Sequence, residues 1–380
     1  MTTVHKQVQK ARDLASMIAA ASPDNDEIRE LTKPVVAALI DGGFFHMLKP
    51  KSVGGMELKP SIFCQVTEAL AAADGSTGWV VCQSNGCSTT AAYMEPRVAK
   101  EIFGPANGIV AWGPTWPPTG SVKAVPVSGG YQISGTWRFA SGSQNATYLG
   151  AHIKVEGTGE LKTFLFPKTN VKMQDIWHTV GLRGTSSNQY SANEMFVPED
   201  HALRRDDPRS RKEPGLLYRF TSGQLYSIGF GGVGLGVARG MMDAFLQLPG
   251  DKVARGASKP MRENNVLQSQ VGQCEAKWRS ARLFLHAAAD EAWDYIEQHG
   301  EMTIEHRARI RLASTWAIQS SREIVNTLFH DCGSMAVFEE NPFERRLRDI
   351  HTVAQQGQGR ILHYETVGQV MLGVSPENIF

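Results

Sequence analysis

What this sequence lacks narrows it first. No uncharged apolar run approaches the roughly 20 residues that a bilayer-spanning helix needs. The N-terminal stretch MTTVHKQVQKARDLASMIAA has neither an apolar signal core nor a small-residue cleavage site, which predicts a cytoplasmic protein with no membrane partner. Neither sign of charge dominates. With 39 basic residues against 38 acidic ones, no broad surface for nucleic acid or an anionic membrane is expected. The five cysteines (Cys64, Cys82, Cys87, Cys274, Cys332) are odd in number and scattered, with no C-x-x-C. Cys82 and Cys87 have no histidines near them at zinc spacing, so they read as reduced core thiols and no metal site is expected.

What is present falls into three segments. Residues 1–108 are helical in pattern: DEIRELTKPVVAALIDGGFFHMLKP puts Ile28, Leu31, Val35, Ala38 and Leu39 on one stripe, stopped by Gly42 and Gly43. A second helix, SIFCQVTEALAAADGS, is expected to end at Gly75, and a third runs through STGWVVCQSNGCSTTAAYM. Over residues 109–215 the period changes to two. YQISGTWRFASG, YLGAHIKVEG, LKTFLFPK and SANEMFVPED read as strands with no helical pattern between them, which predicts an antiparallel β domain. After the charged loop RRDDPRSRKEPG, residues 216–380 return to helical spacing. Val271, Cys274, Trp278, Ala281, Leu285, Ala288, Ala292 and Ile296 form one face, and Ala313, Ala317, Ile324 and Leu328 another, as in a four-helix bundle. The fold class is α+β: helical, then β, then helical.

GFGGVG, Gly229 to Gly234, satisfies a dinucleotide fingerprint by letter but has no strand–turn–helix setting and no acid ending a following strand. It reads instead as close helix packing through glycine. Without a nicotinamide-binding unit, the chain has no means of reducing a flavin by itself.

Three stretches carry a family resemblance. GGFFHMLKPKSVGG (Gly42 to Gly55), TWPPTGS (Thr115 to Ser121) and VGLRGTSSNQYSANEMFVPED (Val180 to Asp200) resemble, in order and spacing, motifs of the acyl-CoA dehydrogenase superfamily. A weaker echo is RGASKPM, Arg255 to Met261. The resemblance implies a homotetramer with flavin held between the β domain and the C-terminal helices. It places Trp112 and Thr115 near the ring, passes WRFASG (Trp137, Ser141, Gly142) beside the central nitrogen, and sends Arg255 to a neighbouring subunit's flavin phosphates. A hydroxyl such as that of Ser141 can donate there while adding little volume.

Two departures decide the chemistry that this resemblance implies. Dehydrogenases of the superfamily remove an α-proton with a carboxylate, often in Y-E-G-T shortly after an R-D pair. Here Arg348 and Asp349 supply the pair, but Gln356–Gly357 stands where Glu–Gly is expected, and glutamine cannot act as a base. TWPPTGS also puts tryptophan and proline where the family has Glu and Gly. Both features resemble the sister group of two-component flavin monooxygenases. RRLRDIH looks like that group's histidine context and WRFASG like its W-x-x-x-S-G. That resemblance implies an oxygenase component taking reduced flavin (FADH2 or FMNH2) from a separate NAD(P)H-dependent reductase. With O2 it would hydroxylate a small aromatic or heteroaromatic substrate through a flavin hydroperoxide. His351 and Ser141 are the candidate catalytic residues, with His46, His152, His178 and His330 as weaker alternatives to the former. Trp79, Asn85 and Trp116, together with Trp112, are candidate substrate walls, since aromatic rings suit a planar substrate. Alternatives are an acyl-CoA dehydrogenase or flavin oxidase of the same fold, an N-hydroxylase of an amino compound, and a flavin-free binding protein.

Overall fold

The computed structural model describes residues 4–118, 122–248 and 259–376. Its N-terminal part is helical: α1 (Lys6–Asp13), α2 (Ala15–Ile28), α3 (Lys33–Asp41), α4 (Pro60–Ala73), α5 (Gly75–Ser88) and α6 (Pro96–Phe103). The single stripe expected from Ile28 to Leu39 is broken in two. Arg29 takes a left-handed φ of 58°, α3 restarts at Lys33, and Ile28 is left 47% exposed while Val35 and Leu39 are fully buried. Gly75, expected to end a helix, instead opens α5. Asp74 breaks α4 with extended backbone and caps α5, its carboxylate accepting from Thr77 N at 2.8 Å.

The β region holds β1 (Val110–Trp112), β2 (Lys123–Val127), β3 (Gly130–Ala140), β4 (Tyr148–Lys154), β5 (Leu161–Pro167), β6 (Lys172–Gln174), β7 (Asn188–Pro198) and β8 (Ala202–Leu203). These form two four-stranded sheets, ordered β1-β4-β5-β8 and β2-β3-β7-β6. All pairings are antiparallel except β1 with β4, which run parallel with Trp112 opposite Gly150. Trp137 is wholly buried, stacked on Tyr190 at 5.2 Å and near Phe166. It therefore anchors the core of this region.

The C-terminal part comprises α7 (Ser222–Leu246), α8 (Asn265–His299), α9 (Ile304–Cys332), α10 (Phe343–Gln355) and α11 (His363–Met371). GFGGVG lies inside α7, where side-chain room is absent. A methyl at Gly229 would come 2.5 Å from Cys82 Sγ, and one at Gly232 the same distance from Thr67 Oγ1. The glycines thus let α7 lie close against α4 and α5, as the packing reading requires. All five cysteines are free and buried, and burial raises the Cys64 and Cys82 thiols well above the usual range. One continuous apolar core joins the three parts of the chain.

Candidate active site

Ser141 lies just past the end of β3, and the way that strand ends defines the site. The β3–β7 register slips between Trp137 and Ala140, and within that bulge Phe139 adopts φ +63°. Bulges bend a strand and re-aim side chains. Here the consequence is a 46% exposed phenyl ring, met edge-on by Trp116 at 5.9 Å and by Trp177 at 6.0 Å. Arg138 covers Trp116 at 4.7 Å. A left-handed φ is costly for a bulky residue, so the flanking strands must hold Phe139 in this conformation.

Behind this aromatic ledge is a buried set of hydroxyls. Ser141 Oγ accepts from Trp79 Nε1 at 3.0 Å and lies 2.6 Å from Ser187 Oγ. Ser187 lies 2.7 Å from Thr185 Oγ1, which donates to Leu182 O at 2.8 Å. The backbone is tied as well, with Gly142 N donating to Thr185 O at 2.8 Å. Gly142 takes φ +77°, a conformation glycine adopts without penalty. Trp79 is stacked on Phe230 at 4.0 Å, which fixes the indole that presents Nε1.

The turn bearing Thr185 is itself pinned from α10. Leu182 and Ser186 are left-handed at φ 50° and 48°. Leu182 N donates to Asp349 Oδ1 at 2.6 Å, and Arg348 Nη1 donates to Val180 O at 2.9 Å. Gly181 admits α10 because any side chain there would collide with the Arg348 carbonyl. Burial and the nearby Asp74 carboxylate push Asp349 up to about 7.

The other expected site residues are more dispersed. Thr115 bridges to Trp137 in a lone β-bridge, and Trp112 meets His152 edge-on at 5.0 Å. Trp137 is a core residue, so its ring offers no surface to a ligand. Asn85 is also wholly buried, donating to Phe44 O and Val81 O and accepting from Leu48 N, a role that ties α5 to the segment after α3. His351 faces away from the hydroxyl set. Two residues along a helix amount to about 200°, so with Asp349 turned to Leu182, His351 turns to α9, where Nε2 meets Asn326 Oδ1 at 2.9 Å. Partial burial and the Arg322 charge lower its pKa. Arg255 and the end of TWPPTGS (119–121) lie outside the described residues. Sequence reasoning missed Phe139, Trp177, Thr185 and Ser187. The run Thr185-Ser186-Ser187 was the one available signal, since hydroxyls in that density are unusual for a plain strand entry.

Gln356, at the position expected for a dehydrogenase base, accepts from Gln358 N at 2.6 Å and caps a short turn. Gln358 in turn is engaged by Ser227 and Arg311. Among the described residues, no group of three or more His, Cys, Asp or Glu could hold a metal, and no helix is long and apolar enough to cross a membrane.

Residues 5–101 match the family described as acyl-CoA dehydrogenase, N-terminal domain, and residues 228–357 match acyl-CoA dehydrogenase, C-terminal domain. The chain belongs to the acyl-CoA dehydrogenase family. Within the family it is 28% identical to an indole-3-acetate monooxygenase of Pseudomonas putida, over 92% of this chain and 90% of that one. It is also 28% identical to the flavin-dependent monooxygenase oxygenase subunit HsaA of Mycobacterium tuberculosis, covering 86% of this chain and 84% of that one. The crystal structure of the M. tuberculosis HsaA monooxygenase superposes with a TM-score of 0.88 over 98% of both chains at 24% identity, a match of fold.

The residues present fit a flavin. The exposed Phe139 ring suits one face of a planar ring, and Ser141 is held beside it, its backbone N–H donating to Phe139 O at 2.9 Å.

Proposed function

We propose that this chain is the oxygenase component of a two-component flavin-dependent monooxygenase hydroxylating a small aromatic or heteroaromatic compound. The observation that carries this reading is the Ser141–Ser187–Thr185 hydroxyl set beside the exposed Phe139 ring. Reduced flavin, when bound, supplies two electrons to O2, so that one oxygen atom enters the substrate and the other leaves as water. The protein's part is to hold, to orient and to keep out water. The exposed Phe139 ring supports the ring plane, with Trp116 bracing it edge-on, while the near-complete burial of Ser141, Trp79 and Ser187 excludes solvent from the reacting edge. Trp79 Nε1 occupies a lone pair of Ser141 Oγ, which leaves the serine hydrogen free for Ser187 or for an oxygen acceptor at the ring. Such a preset donor stabilises charge developing on oxygen.

Gln356 favours this reading over dehydrogenation, because its amide takes no proton and is already committed to a turn. The names of the relatives are in accord: one is an oxygenase subunit, which calls for a separate reductase, and another acts on indole-3-acetate. Exposed apolar side chains in the C-terminal part, among them Leu283, Trp316, Ile361 and Leu362, support assembly into a homotetramer. The deciding experiment combines purified protein, a flavin reductase, NADH and O2 with a panel of aromatic compounds. Hydroxylated product that requires both O2 and reduced flavin is the expected result. Turnover under anaerobic conditions with an artificial electron acceptor, in place of hydroxylation, would overturn it.

A further inference from the structure

The charged loop after β8 sends one arginine inward. The Arg205 guanidinium lies over the Trp112 ring, 5.1 Å from its centroid, and its Nη1 is buried with no hydrogen-bond partner. His152 meets the same ring edge-on at 5.0 Å, and its Nε2 is likewise buried without a partner. Two orphaned polar atoms around one tryptophan are costly unless something occupies them. The local carboxylate does not serve. Asp206 is 3.7 Å from Arg205 Nε, and its oxygens accept from Ser222 N at 3.0 Å and Ser222 Oγ at 2.6 Å.

The pair is joined to Ser141 by a wall of aromatic rings. Trp79, which donates to Ser141, stacks on Phe230, and Phe230 stacks on Tyr226 at 5.7 Å. Tyr226 OH and Trp112 O both lie 3.5 Å from Gln83 Nε2, which brings the row to the Arg205 end. The Arg205 charge is felt at the Tyr226 hydroxyl and the Cys87 thiol, so the guanidinium acts on this interior. We propose that Arg205 and His152 form the distal end of the substrate site and bind the carboxylate of an aromatic acid whose ring lies toward Ser141. The inference rests on the monooxygenase reading and extends it to a substrate class. A carboxylate carries two oxygens, matching two separate donors, and a guanidinium gives it charge-assisted bonds. Burial and the Arg205 charge keep the His152 ring neutral. Nδ1 lies 2.8 Å from the Thr163 hydroxyl, and with that hydroxyl as donor Nε2 carries the hydrogen that a carboxylate would accept.

The test uses the full chain with reduced flavin, under anaerobic conditions for binding and with O2 for product. The probes are indole-3-acetate, 4-hydroxyphenylacetate, their amides, and unsubstituted indole and phenol. Wild type is expected to bind at least one acid about tenfold or more tighter than its amide, the scale of one charge-assisted contact. Arg205→Gln should erase that preference by weakening the acid alone, Arg205→Lys should keep part of it, and His152→Gln should reduce it. Equal affinity for acid and amide in wild type overturns the proposal, as does an Arg205→Gln protein of unchanged circular dichroism that weakens both alike. If Arg205→Gln does not fold, the Arg205→Lys and His152→Gln proteins decide by the same acid-to-amide ratio. Hydroxylation of indole or phenol without any preference for acids refutes the carboxylate site and leaves the monooxygenase reading standing. No hydroxylation of any compound refutes both.

Discussion

Replacing Asp349 by asparagine should make the protein more stable at neutral and higher pH, and the gain should shrink as the pH is lowered. The carboxyl is 3% exposed and close enough to Asp74 to feel its charge, and it is pushed from 3.8 up to about 7. Below about 3.8 both folded and unfolded chains hold this proton; between 3.8 and about 7 only the folded chain does. The folded state is therefore favoured toward the acid side of that window, and the contribution is lost as the pH rises through about 7. The full window corresponds to about 4 kcal/mol, at about 1.4 kcal/mol per pH unit. Between about pH 5.5 and 7 the stability difference between Asp349→Asn and wild type should thus grow by about 2 kcal/mol. Asparagine keeps an oxygen that can accept from Leu182 N, so the turn at Leu182 is not released by the exchange. Urea unfolding of both proteins at several pH values, followed by tryptophan fluorescence, measures the difference directly. A difference that stays flat across this range would refute the titration of Asp349 near 7. An asparagine protein that is less stable at every pH would show that the ionised carboxylate holds the turn.

Four further outcomes follow from the geometry. Ser141→Ala should still bind reduced flavin but pass its two electrons to O2 as hydrogen peroxide, leaving oxidised flavin and lowering product per flavin oxidised by up to about 100-fold, the scale of one preset donor; a peroxidase-coupled assay reads this. His351→Ala should leave that ratio within about twofold of wild type, because the imidazole addresses Asn326 on α9. Phe139→Ala should weaken reduced-flavin affinity by about tenfold in an anaerobic titration, through loss of the exposed ring. Gly181→Ala should cost about 2 kcal/mol or more in unfolding experiments, since its methyl collides with the Arg348 carbonyl.

Much of the architecture is legible in the sequence because it rests on periodicity. On the α8 face Cys274, Ala281, Leu285, Ala288, Ala292 and Ile296 are buried as their three-to-four spacing predicts, with Val271 and Trp278 half-buried, and Gly300 ends the helix. The strands from Tyr131 onward lie where the β-rich runs put them, although β5 is buried over four successive residues rather than alternating, and the parallel pairing of β1 with β4 leaves no mark on a single strand. Local breaks are harder to read. Arg29 in a left-handed turn and Asp74 as a cap interrupt patterns that look continuous by hydrophobicity alone. The site was legible in part. Ser141 and Trp79 could be named separately, but their hydrogen bond spans 62 residues, and Ser187 joins them from another 46 residues along the chain. His351 points to Asn326 rather than toward Leu182 for a simple geometric reason: nearness to Asp349 in sequence is opposition on a helix.

The opposite faces of α10 also account for how the fold tolerates a change of chemistry. Arg348 and Asp349 act on backbone, binding Val180 O and Leu182 N, and so they fix the turn that presents Thr185 and Ser187 to Ser141. None of these contacts involves position 356. A base at that position can therefore be exchanged for Gln356, which finds its own partner in Gln358 N, while the pair that precedes it keeps the hydroxyl set in register. The Arg-Asp pair thus holds the turn that carries Thr185 and Ser187, and in the proposed function it is a scaffold on which other residues can carry a different reaction. If that division holds, Arg348→Ala should lower stability and the product-to-peroxide ratio together, whereas Gln356→Ala should spare the ratio. A Gln356→Ala protein that is as uncoupled as Arg348→Ala would place position 356 in the chemistry and remove the distinction.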